Sequence, residues 1–315
     1  MNKKIKIVIP TYNDWNNLDK VIEEVISINK KFQNEIELIV INDGSNLPYE
    51  KKLNSNLLKT TLVNLVKNYG NQKAISIGLK YIHEKYDAKE FDYVIVMDSD
   101  GEDKPEDIFK LIEECKKRET IIFAKRKNRN ENYFFKFMYS IYKISFKLLT
   151  KEKIDFGNFS CIPSMHIKKL IDLDDIDLHY AASVVKSKLN YEKLLCDKGS
   201  RYFGNTKLKL NKHLLHGLVS LSLFSEIIAV NIFFTSIVCM FVLTVMAFTI
   251  FIMKIFLNIA LLGWTSIILI SFFILFIIFF LLSMFSLIIL LNKNNYSKSN
   301  KTFNKELISS IKTFE

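Results

Sequence analysis

Two long uncharged stretches near the end of the chain constrain its fold more than any other feature. From Ile227 to Met253 no charged residue occurs, and Ile255 to Leu291 is again uncharged. A helix needs about 20 apolar residues to cross a bilayer, so each stretch is long enough for a span. Asn258 and Gly263 suit a turn, so the second stretch is better filled by one span from about Gly263 to Leu291 than by two. The expectation is a hairpin of two transmembrane helices over 226–291. Buried as a soluble core, such a hairpin would need a following domain to cover it, and the sequence offers none.

The N-terminal "MNKKIKIVIPTYNDW" starts basic, but its apolar run from Ile5 to Ile9 ends at Pro10 and reads as a strand, not a signal peptide. The first 224 residues are then expected in the cytoplasm. The link between the spans offers only Lys254, whereas the tail after Leu291 carries five Lys against two Glu. Cations gather on the cytoplasmic side, which places both termini there, in a multi-pass protein of the cell (inner) membrane.

The net charge of +11 is uneven. Lys125 to Lys151 holds eight Lys or Arg and one acid, Glu131, while Lys198 to Ser225 holds five cations and no acid. Such patches suit nucleic acid, anionic lipid or a phosphorylated ligand. With membrane spans directly downstream, lipid and phosphate rank ahead, and no nucleic acid partner is expected. Cys115, Cys161, Cys196 and Cys239 form no C-x-x-C pair and read as reduced, incidental thiols.

Upstream of the spans, short β-branched runs ("KIKIVIP", "EIELIVIND", "TTLVNL", "DYVIVMD", "TIIFAKR") alternate with helical spacing. The helical stretches are Leu18 to Ile28, "QKAISIGLKYIHEKY", and a segment opened by Pro105 with Ile108, Leu111 and Ile112 on one face. This is an α/β pattern with a mainly parallel sheet. Ligands of such sheets bind beyond the carboxyl ends of the strands. That rule points to Pro10–Asp14, Asp43–Ser45, Lys67–Gly70, Asp98–Asp103 and Lys125–Arg126, each polar and each after a strand. Neither G-x-G-x-x-G nor G-x-x-x-x-G-K-[ST] occurs, so neither a dinucleotide fold nor a P-loop is supported.

Two further segments suit a membrane surface. In "NYFFKFMYSIYKISFKLL" a helix puts Lys136, Ser140, Lys143 and Lys147 on one narrow face and apolar residues elsewhere, the pattern of an interfacial helix. A helix packed on the sheet with its lysines in water is the alternative. "KHLLHGLVSLSLFS" is the second candidate, with His213 and His216 as interfacial polar residues rather than metal ligands. The expected organisation is a catalytic domain over 1–210, a juxtamembrane helix over 211–225, spans over 226–291, and a cytoplasmic basic tail over 292–315 that is poorly ordered as far as Lys305.

The densest charge lies in "YVIVMDSDGEDKPEDI", where Asp98, Asp100, Glu102 and Asp103 follow an apolar run. A calcium loop of EF-hand type fails on spacing, because its sixth position is Asp103 and its twelfth Phe109. Helix-start chemistry accounts for Asp103, Glu106 and Asp107 after a proline at the first helical position. It does not reach Asp98 and Asp100. With one residue between them in extended chain, those two point the same way. A hard divalent cation carrying phosphates makes such a pair favourable, since Mg²⁺ takes one or two carboxylates and leaves other positions to phosphate and water.

These residues resemble the D-x-D motif of nucleotide-sugar glycosyltransferases of GT-A fold. "PTYND", "INDGS", "KNYGNQKAISIGL", "VMDSDGEDKPE", "FGNFSCI" and "RYFGNTKLKL" are similar, in order, to the motifs of glycosyltransferase family 2, in its polyprenyl-phosphate branch. The resemblance covers about residues 4 to 225, and a C-terminal two-helix anchor also fits that branch. The Q-x-x-R-W motif of processive polysaccharide synthases is absent, since the only tryptophans are Trp15 and Trp264.

The resemblance implies a nucleotide diphosphate sugar as donor, a polyprenyl phosphate as acceptor, and Mg²⁺ or Mn²⁺ as cofactor, with inversion at the anomeric carbon. By position, Asp14 and Asp43 would line the base and ribose pocket, with Pro10 and Tyr12 shaping its wall. Asp98 would contact the nucleotide near the metal, and Asp100 would coordinate it. Glu102 stands where the family usually has Gln, as an altered metal contact. Asp103 would lie at the reaction centre, and Arg201 and Lys207 would bind phosphates. An Asx turn at Asp43 and juxtamembrane cations at Arg201 and Lys207 are the structural alternatives. Asn158 departs from the Asp of many relatives. It cannot take a proton, but a phosphate monoester is mostly dianionic at neutral pH and needs no strong base. An alcohol acceptor would need one, and Asp103 would then be the candidate. Transfer to a glycan or lipid-linked saccharide, a non-catalytic nucleotide-sugar-binding module, and a homo-oligomer all stay open at this stage.

Overall fold

The computed structural model describes residues 3–32, 34–49, 58–127, 133–204, 210–257, 264–296 and 304–314. The chain divides into two compact units: residues 1–143, 152–220 and 299–315 form the first, and residues 144–151 and 221–298 the second.

The first unit is built on strands β1 (Lys4–Thr11), β2 (Glu35–Asn42), β3 (Lys59–Leu65) and β4 (Tyr93–Val96), separated by helices α1 (Trp15–Phe32) and α2 (Asn71–Lys85). Helix α3 (Asp107–Arg118), strand β5 (Ile121–Arg126) and helix α4 (Tyr133–Thr150), whose residues from Ile144 on belong to the second unit, follow. Strand β6 (Ser160–Pro163), helices α5 (Ser164–Ile171) and α6 (Tyr180–Lys186), strand β7 (Tyr191–Cys196) and helix α7 (Leu210–Ser222) complete it up to the apolar stretches. The apolar stretches themselves form α8 (Ser225–Leu257) and α9 (Trp264–Tyr296), and strand β8 (Ile308–Phe314) comes last.

Among the described residues eight strands lie in one sheet, in the order β7-β5-β6-β4-β1-β2-β3-β8. Pairings β1/β2, β1/β4, β2/β3 and β5/β7 are parallel, while β6 runs antiparallel to both its neighbours and β8 antiparallel to β3. The continuous apolar runs of β1 and β2 are explained by helices on both faces. Ile5, Ile7 and Ile9 pack with Leu18, Val21 and Val25 of α1 and with Ile108 and Leu111 of α3. On the opposite face α2 lies so close that a Cβ at Gly78 would stand 2.5 Å from Val8 Cγ1. The expectation of a mainly parallel sheet with helices on both faces holds.

Two elements differ from the sequence reading. Helix α3 starts at Asp107, two residues after Pro105, because the turn before it is closed by short-range bonds: Asp107 N–H donates to Lys104 O and Ile108 N–H to Pro105 O. The end of the expected tail is a strand: β8 pairs with β3 from Thr60↔Phe314 to Leu65↔Ile308. Asn64 Nδ2 donates to Ser310 Oγ (3.0 Å), Ser309 Oγ to Asn64 O (3.1 Å), and Phe314 packs against the core. Of the residues expected to be poorly ordered, 292–296 instead continue α9 and 304–305 precede β8, while 297–303 lie outside the described ones.

In the second unit, α8 and α9 pack against each other and carry two segments, Ser225–Phe256 and Ser266–Leu291, long and apolar enough to cross a membrane. Asn231 Nδ2 donates to Leu149 O at the end of α4 (2.9 Å), and Phe146 meets Phe224 edge-on. On α4, Ser140, Ile144, Lys147 and Leu148 are exposed, and on α7 so are Leu215 and Leu218. The side chains of Lys136, His213 and His216 lie outside the described residues.

Because β8 closes the edge of β3, ending the chain at Leu307 is expected to lower Tm by several degrees. It should also speed amide hydrogen exchange in Lys59–Leu65, read by mass spectrometry, more than in β1.

Candidate active site

Parallel β1, β2, β3, β4, β5 and β7 bring the segments after them to one edge of the sheet. The segment after β4 dominates it. Asp98 N–H donates to Asp103 Oδ2 (3.0 Å), and Glu102 N–H to Asp100 Oδ1 (3.0 Å), so two acids cap the loop that carries the others. Gly101 sits at φ 85°, and a Cβ there would lie 2.2 Å from the Tyr202 ring. Only glycine allows both that backbone and that approach. Asn71, at the start of α2, donates from Nδ2 to Asp98 Oδ1 (3.1 Å).

Burial governs the electrostatics. Desolvation, opposed by Asn71 and Arg126, pushes the Asp98 carboxyl above its usual range. Burial and then the Asp98 charge push Asp100 up to about 6 and Asp103 up to about 8. These acids share a poorly hydrated place where their charges repel.

Cations answer them from two sides. Arg126, at the end of β5, stands 3.0 Å from Glu102 Oε2 and 3.9 Å from Asp103 Oδ1. From the segment after β7, Lys198 stands 3.0 Å from Glu102 Oε1. Arg201 donates to Asp14 Oδ2 and lies 3.5 Å from Asp100 Oδ2. That segment is strapped to the domain. Asn17 of α1 donates to Phe203 O and accepts from Phe203 N–H, Tyr202 Oη donates to Glu24, and Gly199 N–H donates to Glu102 O.

The expected site residues fall into place as follows. Asp98, Asp100, Asp103, Asp14 and Arg201 come together. Glu102 is diverted from the Asp98–Asp100 pair, because its two oxygens face Arg126 and Lys198. Asp43 is buried and organises the loop after β3: it accepts from Tyr69 N–H (2.7 Å) and Gly70 N–H (2.9 Å). The Asx-type bond belongs instead to Asn42, whose Oδ1 accepts from Ser45 N–H. Pro10 is buried within β1, and Tyr12 just beyond it is exposed. Asn158 lines a cavity of about 100 Å³ together with Asp98, Asp103 and Arg126. Lys207 lies outside the described residues.

Residues that the sequence reading did not assign are Asn17, Asn71, Gln72 and Arg126. Gln72 Nε2 donates to Asn158 Oδ1 (3.2 Å) and its Oε1 accepts from Tyr180 N–H (2.7 Å). Asn71 and Gln72 stand inside "KNYGNQKAISIGL" and Arg126 at a strand end, so position alone was available as a signal.

Among the described residues no group of three or more His, Cys, Asp or Glu is arranged to hold a metal. Asp98 and Asp100 form a pair, and the fit to a divalent cation is good on chemistry. Both are hard oxygen donors, both are desolvated, and two carboxylates are what Mg²⁺-type sites take when phosphates supply the rest.

A family model described as glycosyl transferase family 2 matches residues 6–172. The chain is 27% identical over 174 residues to an undecaprenyl-phosphate 4-deoxy-4-formamido-L-arabinose transferase of Proteus mirabilis, covering 54% of this chain and 50% of that protein. It is 27% identical over 233 residues to an uncharacterised glycosyltransferase of Synechocystis, covering 71% of each. The chain thus spans about half the length of the arabinose transferase. Among solved structures, glucosyl-3-phosphoglycerate synthase of Mycobacterium tuberculosis with Mn²⁺, UDP-glucose and phosphoglyceric acid superposes with a TM-score of 0.51 at 14% identity, covering 72% of this chain and 78% of that one. The same enzyme with phosphoglyceric acid alone gives 0.51 at 16% identity, covering 70% and 79%. These two likenesses establish the fold.

Asp100 holds its proton more tightly folded than unfolded, so its contribution to stability is greatest in acid. That contribution is lost as pH rises from about 4 through about 6. Without divalent cation, Tm of the wild type is therefore expected to fall relative to Asp100→Asn over that range. Mg²⁺ or Mn²⁺ at neutral pH should recover the difference in the wild type only.

Proposed function

The chain belongs to glycosyl transferase family 2, and from that premise we propose that it moves a sugar from a nucleotide diphosphate sugar to a polyprenyl phosphate at a membrane surface, with inversion at the anomeric carbon. The observation that carries this reading is the Asp98–Asp100 pair, half-buried after β4 with Arg201 and Arg126 beside it. Such an arrangement suits a cation and a diphosphate on one side and a second anion on the other. The undecaprenyl-phosphate transferase named above and the two candidate spans support a lipid phosphate as that second anion.

Asp98 and Asp100 would hold the cation, Mg²⁺ or Mn²⁺, which when bound neutralises charge on the departing diphosphate. The remaining work falls to the chain. Asn71 orients Asp98. Arg201 offsets Asp14 and Asp100 and places a guanidinium where phosphate oxygens would arrive. Arg126 and the Asn158 amide line the small cavity beside Asp103, which is our site for the acceptor phosphate. An acceptor already ionised needs orientation and charge neutralisation rather than a strong base.

The returning strand bears on topology. The pairing of β8 with β3 supports a reading in which strand β8 and the domain before α8 share one face of the membrane, as two crossings would require. The lone Lys254 between the spans supports the cytoplasmic face for both ends.

The test is to incubate membranes bearing the protein with labelled UDP- or GDP-sugars and undecaprenyl phosphate, with and without EDTA. Labelled lipid that disappears with the chelator is expected. Label only in glycan, or no turnover with any donor, would contradict the proposal. Asp100→Asn is expected to lower transfer by 10² or more, with membrane insertion unchanged.

A further inference from the structure

Asn158 is held at two points by one buried tyrosine. On the first route, Tyr180 N–H donates to Gln72 Oε1 (2.7 Å), and Gln72 Nε2 donates to Asn158 Oδ1 (3.2 Å). On the second, Tyr180 Oη lies 2.8 Å from Ser160 Oγ, which donates to the backbone O of Asn158 (3.0 Å). A serine hydroxyl has one proton, so Tyr180 is the donor to Ser160. Tyr180 and Ser160 are both fully buried. Asp177 fixes the segment before Tyr180 to α2, accepting from Lys73, Ser76 and Lys80.

Donor and acceptor rules make this arrangement directional. The backbone N–H of Tyr180 can only donate, so the oxygen of Gln72 must face it. The Gln72 amide nitrogen then faces Asn158, and Asn158 must meet it with oxygen. The Asn158 oxygen is thereby held on the Gln72 side and its NH₂, a donor only, is turned the other way, in a residue that lines the same small cavity as Arg126. The usual ambiguity of an amide flip is thus removed by a group that cannot flip.

We propose that Gln72 is a positioning residue that sets the polarity of position 158. Held by Tyr180, it turns the Asn158 amide so that N–H rather than oxygen meets the acceptor, which selects an ionised acceptor oxygen over a neutral hydroxyl. This rests on the lipid-phosphate reading above and adds to it the residue that enforces it. A hydroxyl nucleophile would need an acceptor for its proton at this place, and the Gln72–Tyr180 pair turns the one oxygen of the Asn158 side chain away.

Gln72→Glu tests the polarity directly. A carboxylate still accepts from Tyr180 N–H but cannot donate to Asn158, whose amide would rotate to give its own N–H to the new carboxylate and expose its oxygen to the acceptor. The experiment measures binding of farnesyl phosphate, farnesol and UDP or GDP to the full-length protein in nanodiscs, for wild type, Gln72→Glu, Gln72→Met, Asn158→Ala and the Gln72→Glu/Asn158→Ala pair. Loss of a charge-assisted hydrogen bond predicts farnesyl phosphate affinity lower by about tenfold or more in Gln72→Glu. A smaller loss is expected in Gln72→Met, with nucleotide affinity unchanged in both. The double variant should bind like Asn158→Ala, because Gln72 acts through Asn158. Gln72→Met keeps the test open if Gln72→Glu does not fold. Wild-type affinity in every folded Gln72 variant, or additive losses in the double variant, would overturn the inference alone. A wild type that binds farnesyl phosphate no better than farnesol would overturn the acceptor reading and this inference with it.

Discussion

The crowding of half-buried carboxylates after β4 is the constraint to which the rest of the first unit answers. Two unit charges about 4 Å apart repel by about 4 kcal/mol at an effective dielectric of 20, so acids packed out of water need compensation. Here it comes from specific places. Arg126 reaches in from β5 and Arg201 from the segment after β7, while Asn71 donates to Asp98 from the start of α2. The acids also consume one another's neighbours, since Asp100 and Asp103 each accept a backbone N–H from the loop that holds them. Asp98 and Asp100 are left as the pair whose repulsion a cation would relieve.

Holding those groups requires close backbone approaches. At Gly44, φ is 65° and a Cβ would lie 2.3 Å from the Lys67 carbonyl carbon, which brings the β2 and β3 loops together. Asp43 then takes the N–H groups of Tyr69 and Gly70, so the start of α2 is fixed and Asn71 and Gln72 face the site. At Gly101 the approach is to Tyr202, whose hydroxyl is anchored on Glu24 of α1. The strap bearing Arg201 is thereby tied to two elements of the sheet's first half.

Much of this was legible in the sequence. Alternation of apolar runs and helical spacing predicted a mainly parallel sheet, and the rule of strand ends predicted where polar segments would gather. The D-x-D spacing marked Asp98 and Asp100 as a pair of neighbouring acids, and hydropathy marked both long apolar helices. Less legible was partner choice. Glu102 lies two residues from Asp100, yet it pairs with Arg126 and Lys198, 24 and 96 residues away in sequence. Asn17 meets Phe203 across 186 residues, and Gln72 meets Tyr180 across 108. Such contacts depend on where the sheet brings distant loops, and no local period encodes that. Strand β8 was hidden for another reason. "ISSIKTF" is short and largely polar because it is an edge, exposed on most of its length, so it lacks the apolar run by which the central strands declare themselves.

The central claim is that Asp98 and Asp100 hold a divalent cation together with a nucleotide diphosphate. Electron paramagnetic resonance of Mn²⁺ tests it most directly, because free Mn²⁺ in water gives a six-line signal that is lost on binding. Adding full-length protein to Mn²⁺ with UDP or GDP is expected to reduce the free signal well below that of nucleotide alone, and Asp100→Asn is expected to restore it. A signal unaffected by the wild-type protein, or lost equally with Asp100→Asn, would contradict the account.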